Sequence, residues 1–73
     1  MPEKKAVTVF IDAATGPHVS IGQEVHAGQV VGLSTDQKPV PSPVHGTVKA
    51  CVFDAEKHLL CLFIEKDNGP KSP

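Results

Sequence analysis

Glycine and proline are spaced so closely along the first two thirds of the chain that no long helix can form there. The 73-residue sequence contains six glycines and seven prolines. Those that divide residues 16–46 are Gly16, Pro17, Gly22, Gly28, Gly32, Pro39, Pro41, Pro43 and Gly46. Proline removes a main-chain donor from a helix and glycine adds an entropic cost, so each tends to end one. Short segments between such residues predict the strands of an all-β sandwich or barrel.

Three of these segments alternate apolar and polar residues, as half-buried strands do. The segments are 7–11, 18–21 and 47–52. Their alternating apolar residues are Val7, Val9, Ile11, Val19, Ile21, Val48, Ala50 and Val52. We therefore predict a strand in each segment.

Residues 47–68 contain no glycine or proline and are compatible with two structures. Val48, Val52, Ala55, Leu59 and Leu62 would share one face of a helix. However, the start of the segment is rich in β-favouring residues, and residues 59–64 are apolar on both faces, like a strand inside a sandwich. We predict two strands joined by a polar turn at Asp54–Lys57.

The segment Gly22–Gly28 has a glycine at each end and an apolar residue at its centre. The two glycines permit positive φ, so we expect a broad turn with Val25 folded inward. Residues 40–48 begin with an extended, proline-containing stretch and turn at Gly46 into a strand. The predicted structural turn residues are therefore Gly22, Val25, Gly28 and Gly46.

Composition excludes two classes of function. The net charge is −1, and the chain contains no Arg, Trp or Tyr. A nucleic-acid-binding protein needs a basic surface and usually aromatic side chains for stacking, so nucleic acid is not an expected partner. The longest apolar run, residues 59–64, is far below the ~20 residues of a transmembrane helix.

The length predicts one domain, residues 1–73, with flexible ends at residues 1–5 and 68–73. Asp12 interrupts the first apolar stretch too early for a secretory signal. Cys51 and Cys61 allow one disulfide, which is sparse for a small secreted domain. We therefore expect a cytoplasmic protein with reduced thiols.

Two motifs together resemble the barrel-sandwich hybrid fold of biotinyl and lipoyl carrier domains. They are Gly22-x-x-Val25-x-x-Gly28-Gln29 and Ser42-Pro43-x-x-Gly46-Thr47-Val48. The sequence is still more similar to the N-terminal module of the C subunit of the Rnf electron-transport complex, and to a module in the A subunit of the sodium-pumping NADH:quinone reductase. That similarity includes the apolar residues 59–64 and Asp67-Asn68-Gly69, and it covers residues 7–69.

This resemblance implies a docking or structural module in an electron-transfer complex, with protein subunits as partners. In those subunits, larger regions carry the flavin, nicotinamide or iron–sulfur chemistry. An iron–sulfur cluster typically needs four thiolates and this chain has two cysteines. The resemblance therefore implies no cofactor and no enzymatic activity here, and a cytoplasmic location that could be peripheral to a membrane complex.

A carrier domain is the first alternative, with Lys38 as the site of lipoate or biotin attachment. Carrier domains place that lysine at a hairpin tip, and residues 35–38 are similar to the lipoyl Thr-Asp-Lys. Against this, Pro39 follows the lysine directly, and Pro39 and Pro41 lack the N–H groups that a returning strand would donate. We predict an unmodified Lys38.

A small metal-binding protein is the second alternative. The candidate ligands are His18, His26, His45, His58, Cys51 and Cys61. They lack the closely spaced pairs of zinc sites, and residues three apart on a strand, such as His58 and Cys61, face opposite sides. We therefore predict no metal site.

Catalysis is not predicted either. Ser20, Thr35 and Ser42 have no partner base at a recognisable spacing, and the nucleophile-elbow and phosphate-loop motifs are missing from the sequence. The sequence therefore indicates no catalytic residues.

Overall fold

The computed structural model describes residues 5–67, and all of its regular structure is β. The strands are β1 (Ala6–Asp12), β2 (Glu24–Val25), β3 (Val30–Leu33), β4 (Pro39–Pro41), β5 (Gly46–Asp54) and β6 (Leu59–Lys66). The prediction of an all-β chain is confirmed. Within residues 5–67 no helix is long and apolar enough to cross a membrane.

Most of the expected flexible ends, residues 1–4 and 68–73, lie outside the described residues. Lys5 was included in that expectation, and its backbone is bonded. The N–H of Lys66 donates to the carbonyl oxygen of Lys5 at 2.6 Å. This bond extends the pairing of β1 with β6 by one residue.

The strands form two sheets that enclose one core. The larger sheet is antiparallel, with the order β1-β6-β5-β2, and the smaller consists of β3 and β4. The fully or nearly buried core residues are Val9, Ile11, Val19, Val25, Val31, Val48, Leu62 and Ile64. Gly32 of β3 lies so close to Ile11 that an added Cβ would be 2.8 Å from its side chain. The smaller sheet therefore packs on the inner face of the larger one.

The ambiguous segment 47–68 forms the predicted pair of strands. β5 and β6 pair along most of their length and are joined by a turn over residues 55–58, one residue later than predicted, because Asp54 still pairs with Leu59. The carboxylate of Asp54 accepts hydrogen bonds from the N–H groups of Glu56 and Lys57, at 3.0 and 3.2 Å. His58 then has a φ of 55°, a left-handed conformation through which a helix does not continue, so the chain turns back into β6.

The predicted alternation along residues 47–52 fails at Lys49. The register of β5 against β6 shifts between Val48 and Ala50, which marks a bulge. Val48 is buried, whereas Val52 lies on the opposite face and is 52% exposed. The strand prediction is confirmed, but one extra residue reverses which face its later side chains occupy.

The predicted strand over residues 18–21 is wrong. Ser20–Gln23 is a turn, in which the N–H of Gln23 donates to the carbonyl oxygen of Ser20 at 3.0 Å. Ile21 is at the outside of this turn and is 65% exposed. The alternation is accidental, because Gly22 supplies a positive φ that reverses the chain two residues after Ser20.

Residues 14–31 repeat a six-residue pattern instead of a strand period. Each repeat has a glycine with positive φ and, three residues later, a buried valine. The glycines are Gly16, Gly22 and Gly28, and the valines are Val19, Val25 and Val31. Val25 is 2% exposed, so the prediction that it folds inward between two turns is confirmed.

The second and third repeats close with the same local bonds. The side-chain oxygen of Gln23 accepts from the N–H of Ser20, and that of Gln29 accepts from the N–H of His26, both at 3.0 Å. The N–H of Gln29 also donates to the carbonyl oxygen of His26, as Gln23 does to Ser20. A glycine followed by glutamine is thus the local signal for each turn.

Candidate functional site

The two motifs that carry the family resemblance lie side by side and are bonded to each other at both ends. At one end, the N–H of Gly22 donates to the carbonyl oxygen of Val48 at 2.7 Å. The N–H of Val48 in turn donates to the carbonyl oxygen of Gln23 at 2.9 Å. At the other end, Gly28 and Ser42 are joined by a hydrogen bond of 2.8 Å from the N–H of Gly28. Between them, β2 pairs with the start of β5. The glycine turn and the Ser-Pro segment therefore form one unit.

Gly46 occupies the tightest position of this unit. It is paired with Val25 of β2 on one side and with Lys66 of β6 on the other. A Cβ at this position would overlap the backbone carbonyl oxygen of Glu65. Only glycine fits there without a movement of the backbone, and Gly46 is the first residue of β5.

Ser42 is a buried residue whose hydroxyl group bonds to the main chain two residues later. Its Oγ donates to the carbonyl oxygen of Val44 at 2.6 Å and accepts from the N–H of Val44 at 3.3 Å. The residue is 2% exposed. These bonds fix the turn that leads into β5 and give the hydroxyl a structural role.

Lys38 lies on a hairpin that does form, which corrects the argument from its neighbouring prolines. The N–H of Ser34 donates to the carbonyl oxygen of Lys38 at 2.8 Å, and β4 continues the pairing with β3. Along an edge strand, the main-chain N–H and carbonyl groups of successive residues point alternately toward the paired strand and away from it. The main-chain groups of Lys38 point toward β3, so those of Pro39 and Pro41 point away from it. The hairpin therefore needs no N–H donor at either proline.

The hairpin nevertheless does not place Lys38 at its tip. The N–H of Lys38 donates to the Oγ of Ser34 at 3.2 Å, so both its main-chain groups are engaged by Ser34. The tip consists of Thr35, Asp36 and Gln37, and Gln37 has a φ of 67°. Lys38 is an exposed residue at the base of the turn.

Two histidines that the sequence gives no reason to pair are neighbours. The rings of His26 and His45 meet edge to face, with centroids 5.7 Å apart. The Nδ1 atom of His45 accepts a hydrogen bond from the N–H of Ala27 at 3.2 Å. They belong to the two bonded motifs, which is the signal that could have placed them together. Within residues 5–67 no group of three or more potential metal ligands occurs.

The other candidate ligands are dispersed. His58 packs edge-on against Phe53, with ring centroids 6.3 Å apart, and His18 is exposed. Cys51 is paired with Leu62 and Cys61 with Val52, so the two thiols lie on opposite faces of the sheet. Both cysteines are free.

The larger sheet presents an apolar surface on the side away from the core. Two cross-strand rows form it: Phe10, Cys61 and Val52, and next to them Thr8, Phe63 and Ala50. We refer to these six residues as the outer apolar face. Phe10 is 47% and Val52 is 52% exposed. β6 is apolar on both faces, but neither sheet of residues 5–67 covers this side of it.

Comparison with protein-family models, with curated proteins and with solved structures found no match. Function is therefore inferred from the geometry of the described residues and from the two bonded motifs.

Proposed function

We propose that this chain is a non-catalytic docking module with a barrel-sandwich hybrid fold, similar to the N-terminal module of the Rnf C subunit. Its role would be to hold subunits together in an electron-transfer complex. The observation that carries the docking role is the outer apolar face, a contiguous surface with Phe10 and Val52 each about half exposed. Contiguous exposed apolar patches in small domains commonly mark binding sites.

The support for the fold assignment comes from the way the two motifs are bonded. Gly22–Gln29 and Ser42–Val48 are distant in sequence, and hydrogen bonds join them at both ends and along β2. A four-stranded sheet facing a smaller hairpin over one core is the arrangement expected of a flattened barrel. These features are consistent with the resemblance.

The support for a protein partner comes from the chemistry of the face. Its residues are aliphatic, aromatic or small, apart from the hydroxyl group of Thr8. Charged groups lie at its margin: the Nζ of Lys57 is 5.7 Å from the ring centroid of Phe10, and Lys49 pairs with Glu65 at 3.6 Å. An apolar centre with a polar rim is the usual composition of a protein interface.

The docking role is tested by purification from the native host under mild conditions, with mass-spectrometric identification of the partners. We expect flavin- or iron–sulfur-containing subunits to co-purify with the chain. Val52→Lys should abolish this, because it replaces a half-exposed apolar side chain of the face with a charge. Ile21→Lys is the matched control, since Ile21 is an exposed apolar residue outside the face. Recovery without redox subunits, or equal recovery with both variants, would contradict the proposal.

The carrier function is the second candidate, because the hairpin that would present Lys38 forms. The intact mass of protein from the native host separates the two. We expect the unmodified mass and a colourless solution, since Lys38 is at the base of its turn and two thiols are too few for a cluster. A mass increment of lipoate or biotin mapped to Lys38 would replace the docking function with the carrier function.

A further inference from the structure

The free edge of β1 is the least protected strand edge among the described residues. β1 is at one end of the larger sheet, and no other strand of residues 5–67 pairs with its outer side. It is seven residues long, contains no proline, and pairs with β6 without a register shift. A long, regular edge strand is a template for pairing with another strand.

The other edges of the described strands are short, blocked or interrupted by a bulge. β5 has no partner on its outer side from Lys49 to Asp54, but this stretch begins with the bulge next to Val48, and bulges are a usual protection of a strand edge. β2, at the opposite end of the same sheet, has two residues. β4 begins and ends with proline. On β3, the carbonyl oxygen of Val31 already accepts a hydrogen bond from the N–H of His18 at 2.8 Å. Since proteins usually protect their strand edges, the exception at β1 indicates that something covers it.

The hydrogen-bond pattern identifies which main-chain groups of β1 can bond to a further strand. Lys5 is bonded to Lys66 of β6, so alternate residues from Lys5 onward face β6. Ala6, Thr8 and Phe10 therefore direct both their N–H and carbonyl groups to the free edge, and Asp12 directs its N–H group there. The bond from the N–H of Gly16 to the carbonyl oxygen of Asp12, at 3.1 Å, agrees with this assignment.

We propose that β1 pairs antiparallel with β1 of a second copy of this chain, about a two-fold axis at Val9. In this register all seven residues of each strand have a partner, and Thr8 of one copy exchanges both main-chain bonds with Phe10 of the other. The pairing joins the two larger sheets into one continuous sheet of eight strands.

Charge distribution favours a second copy in this orientation. β1 has a lysine just before its start, Lys5, and an aspartate at its end, Asp12, with no charge between them. Antiparallel pairing brings the positive end of each strand to the negative end of the other. Parallel pairing would place like charges together, which is unfavourable.

The outer face also continues across the proposed junction. Phe10 of each copy would lie directly opposite Thr8 of the other, so the two outer apolar faces become adjacent on one side of the sheet. The dimer therefore leaves these faces accessible to a partner subunit, and the inference goes beyond the proposed docking function without depending on it.

The test is analytical ultracentrifugation of the chain across concentrations up to about 1 mM, where even weak pairing is detectable. We expect a concentration-dependent monomer–dimer equilibrium. Thr8→Pro should weaken dimerisation by at least about tenfold, because it removes an outward N–H at both symmetric positions without affecting the bonds to β6. Thr8→Val is the matched control and should dimerise normally.

Two further measurements distinguish edge pairing from other outcomes. Val52→Lys should leave the dimer intact, because Val52 is on the outer apolar face and away from the β1 edge; loss of the dimer in this variant would mean that the faces stack instead. In hydrogen exchange, the amides of Thr8 and Phe10 should become protected as concentration rises, whereas those of Val7 and Val9 stay protected throughout. A chain that remains monomeric, with fast exchange at Thr8 and Phe10, would overturn the proposal even if Thr8→Pro failed to fold.

Discussion

Two regions of this molecule hold their shape by different means. The long-strand region, β1, β5 and β6, is held by continuous antiparallel pairing and by apolar side chains that alternate toward the core. The glycine-turn region, residues 14–31, has few strand pairs and is held by positive-φ glycines, glutamine side-chain bonds and a buried valine every six residues. Small domains can thus bury a core with side chains from strands or from turns. The two differ in which substitutions they should tolerate.

The largest effect is expected at Gly46, where the two regions meet. Gly46→Ala would force the new methyl group into the carbonyl oxygen of Glu65, so β5 and β6 must separate locally. We expect a loss of about 3 kcal/mol or more in the free energy of unfolding, at the upper end for overpacking. Urea denaturation followed by circular dichroism measures it. A loss below about 0.5 kcal/mol would show that the sheet is more adaptable than this packing implies.

The second-largest loss of stability is expected at Val25, a core residue of the glycine-turn region. Val25→Ala removes two buried methyl-sized groups, and we expect a loss of about 1.5–3 kcal/mol, including the cavity term. Ile21→Ala is the control, because Ile21 lies only four residues away and is 65% exposed. Thermal melts of both variants should separate clearly. If the Val25→Ala variant melts together with the control, the valines of the repeat do not contribute as core residues.

The smallest loss of stability is expected at Gly22, where a substitution changes the backbone conformation but not the packing. Gly22 has a φ of 93°, and an added Cβ would meet nothing within 4 Å. Gly22→Ala should therefore lose about 1–2 kcal/mol through backbone strain alone. Gly22→Asn should lose less, because asparagine tolerates this conformation better than alanine. Chemical denaturation of both variants tests the ranking, and equal losses would mean that the turn is not held in this conformation in solution.

The sequence predicts the elements whose signal is local. β1 follows its alternation, the hairpin of β5 and β6 follows its β-favouring residues and the polar turn between them, and the turn around Val25 follows its two glycines. In each, the residues that set the conformation lie within the element itself. The all-β class is therefore accessible from sequence alone.

The sequence predictions are wrong where a local pattern is compatible with two structures, or where the conformation depends on pairing with a strand elsewhere in the chain. Ile21 continues an alternation, but the neighbouring Gly22 determines the chain direction. The bulge at Lys49 depends on the pairing of β5 with β6, which a single strand does not encode. Pro39 and Pro41 looked incompatible with a hairpin because the side they face depends on the register against β3.

Of the candidate site, only the glycines that shape its backbone are predictable from the sequence. Gly22, Gly28 and Gly46 were identified as structural, and they do form the unit that joins the two motifs. The contact of His26 with His45 and the outer apolar face depend on which strands become neighbours. Sheet order is a global property, so these features follow only after the topology is known.

The pairing of β1 with β6 has a consequence for the order in which the chain folds. Ala6 is paired with Glu65, 59 residues later in the chain, whereas β5 and β6 are joined by a turn of four residues. Closing a long loop costs more entropy than closing a short one, and contacts between distant residues slow folding. The hairpin of β5 and β6 should therefore form early and β1 should add late. Until β1 arrives, the nascent sheet exposes the edge of β6, and the time spent in that state governs how often two unfinished chains meet.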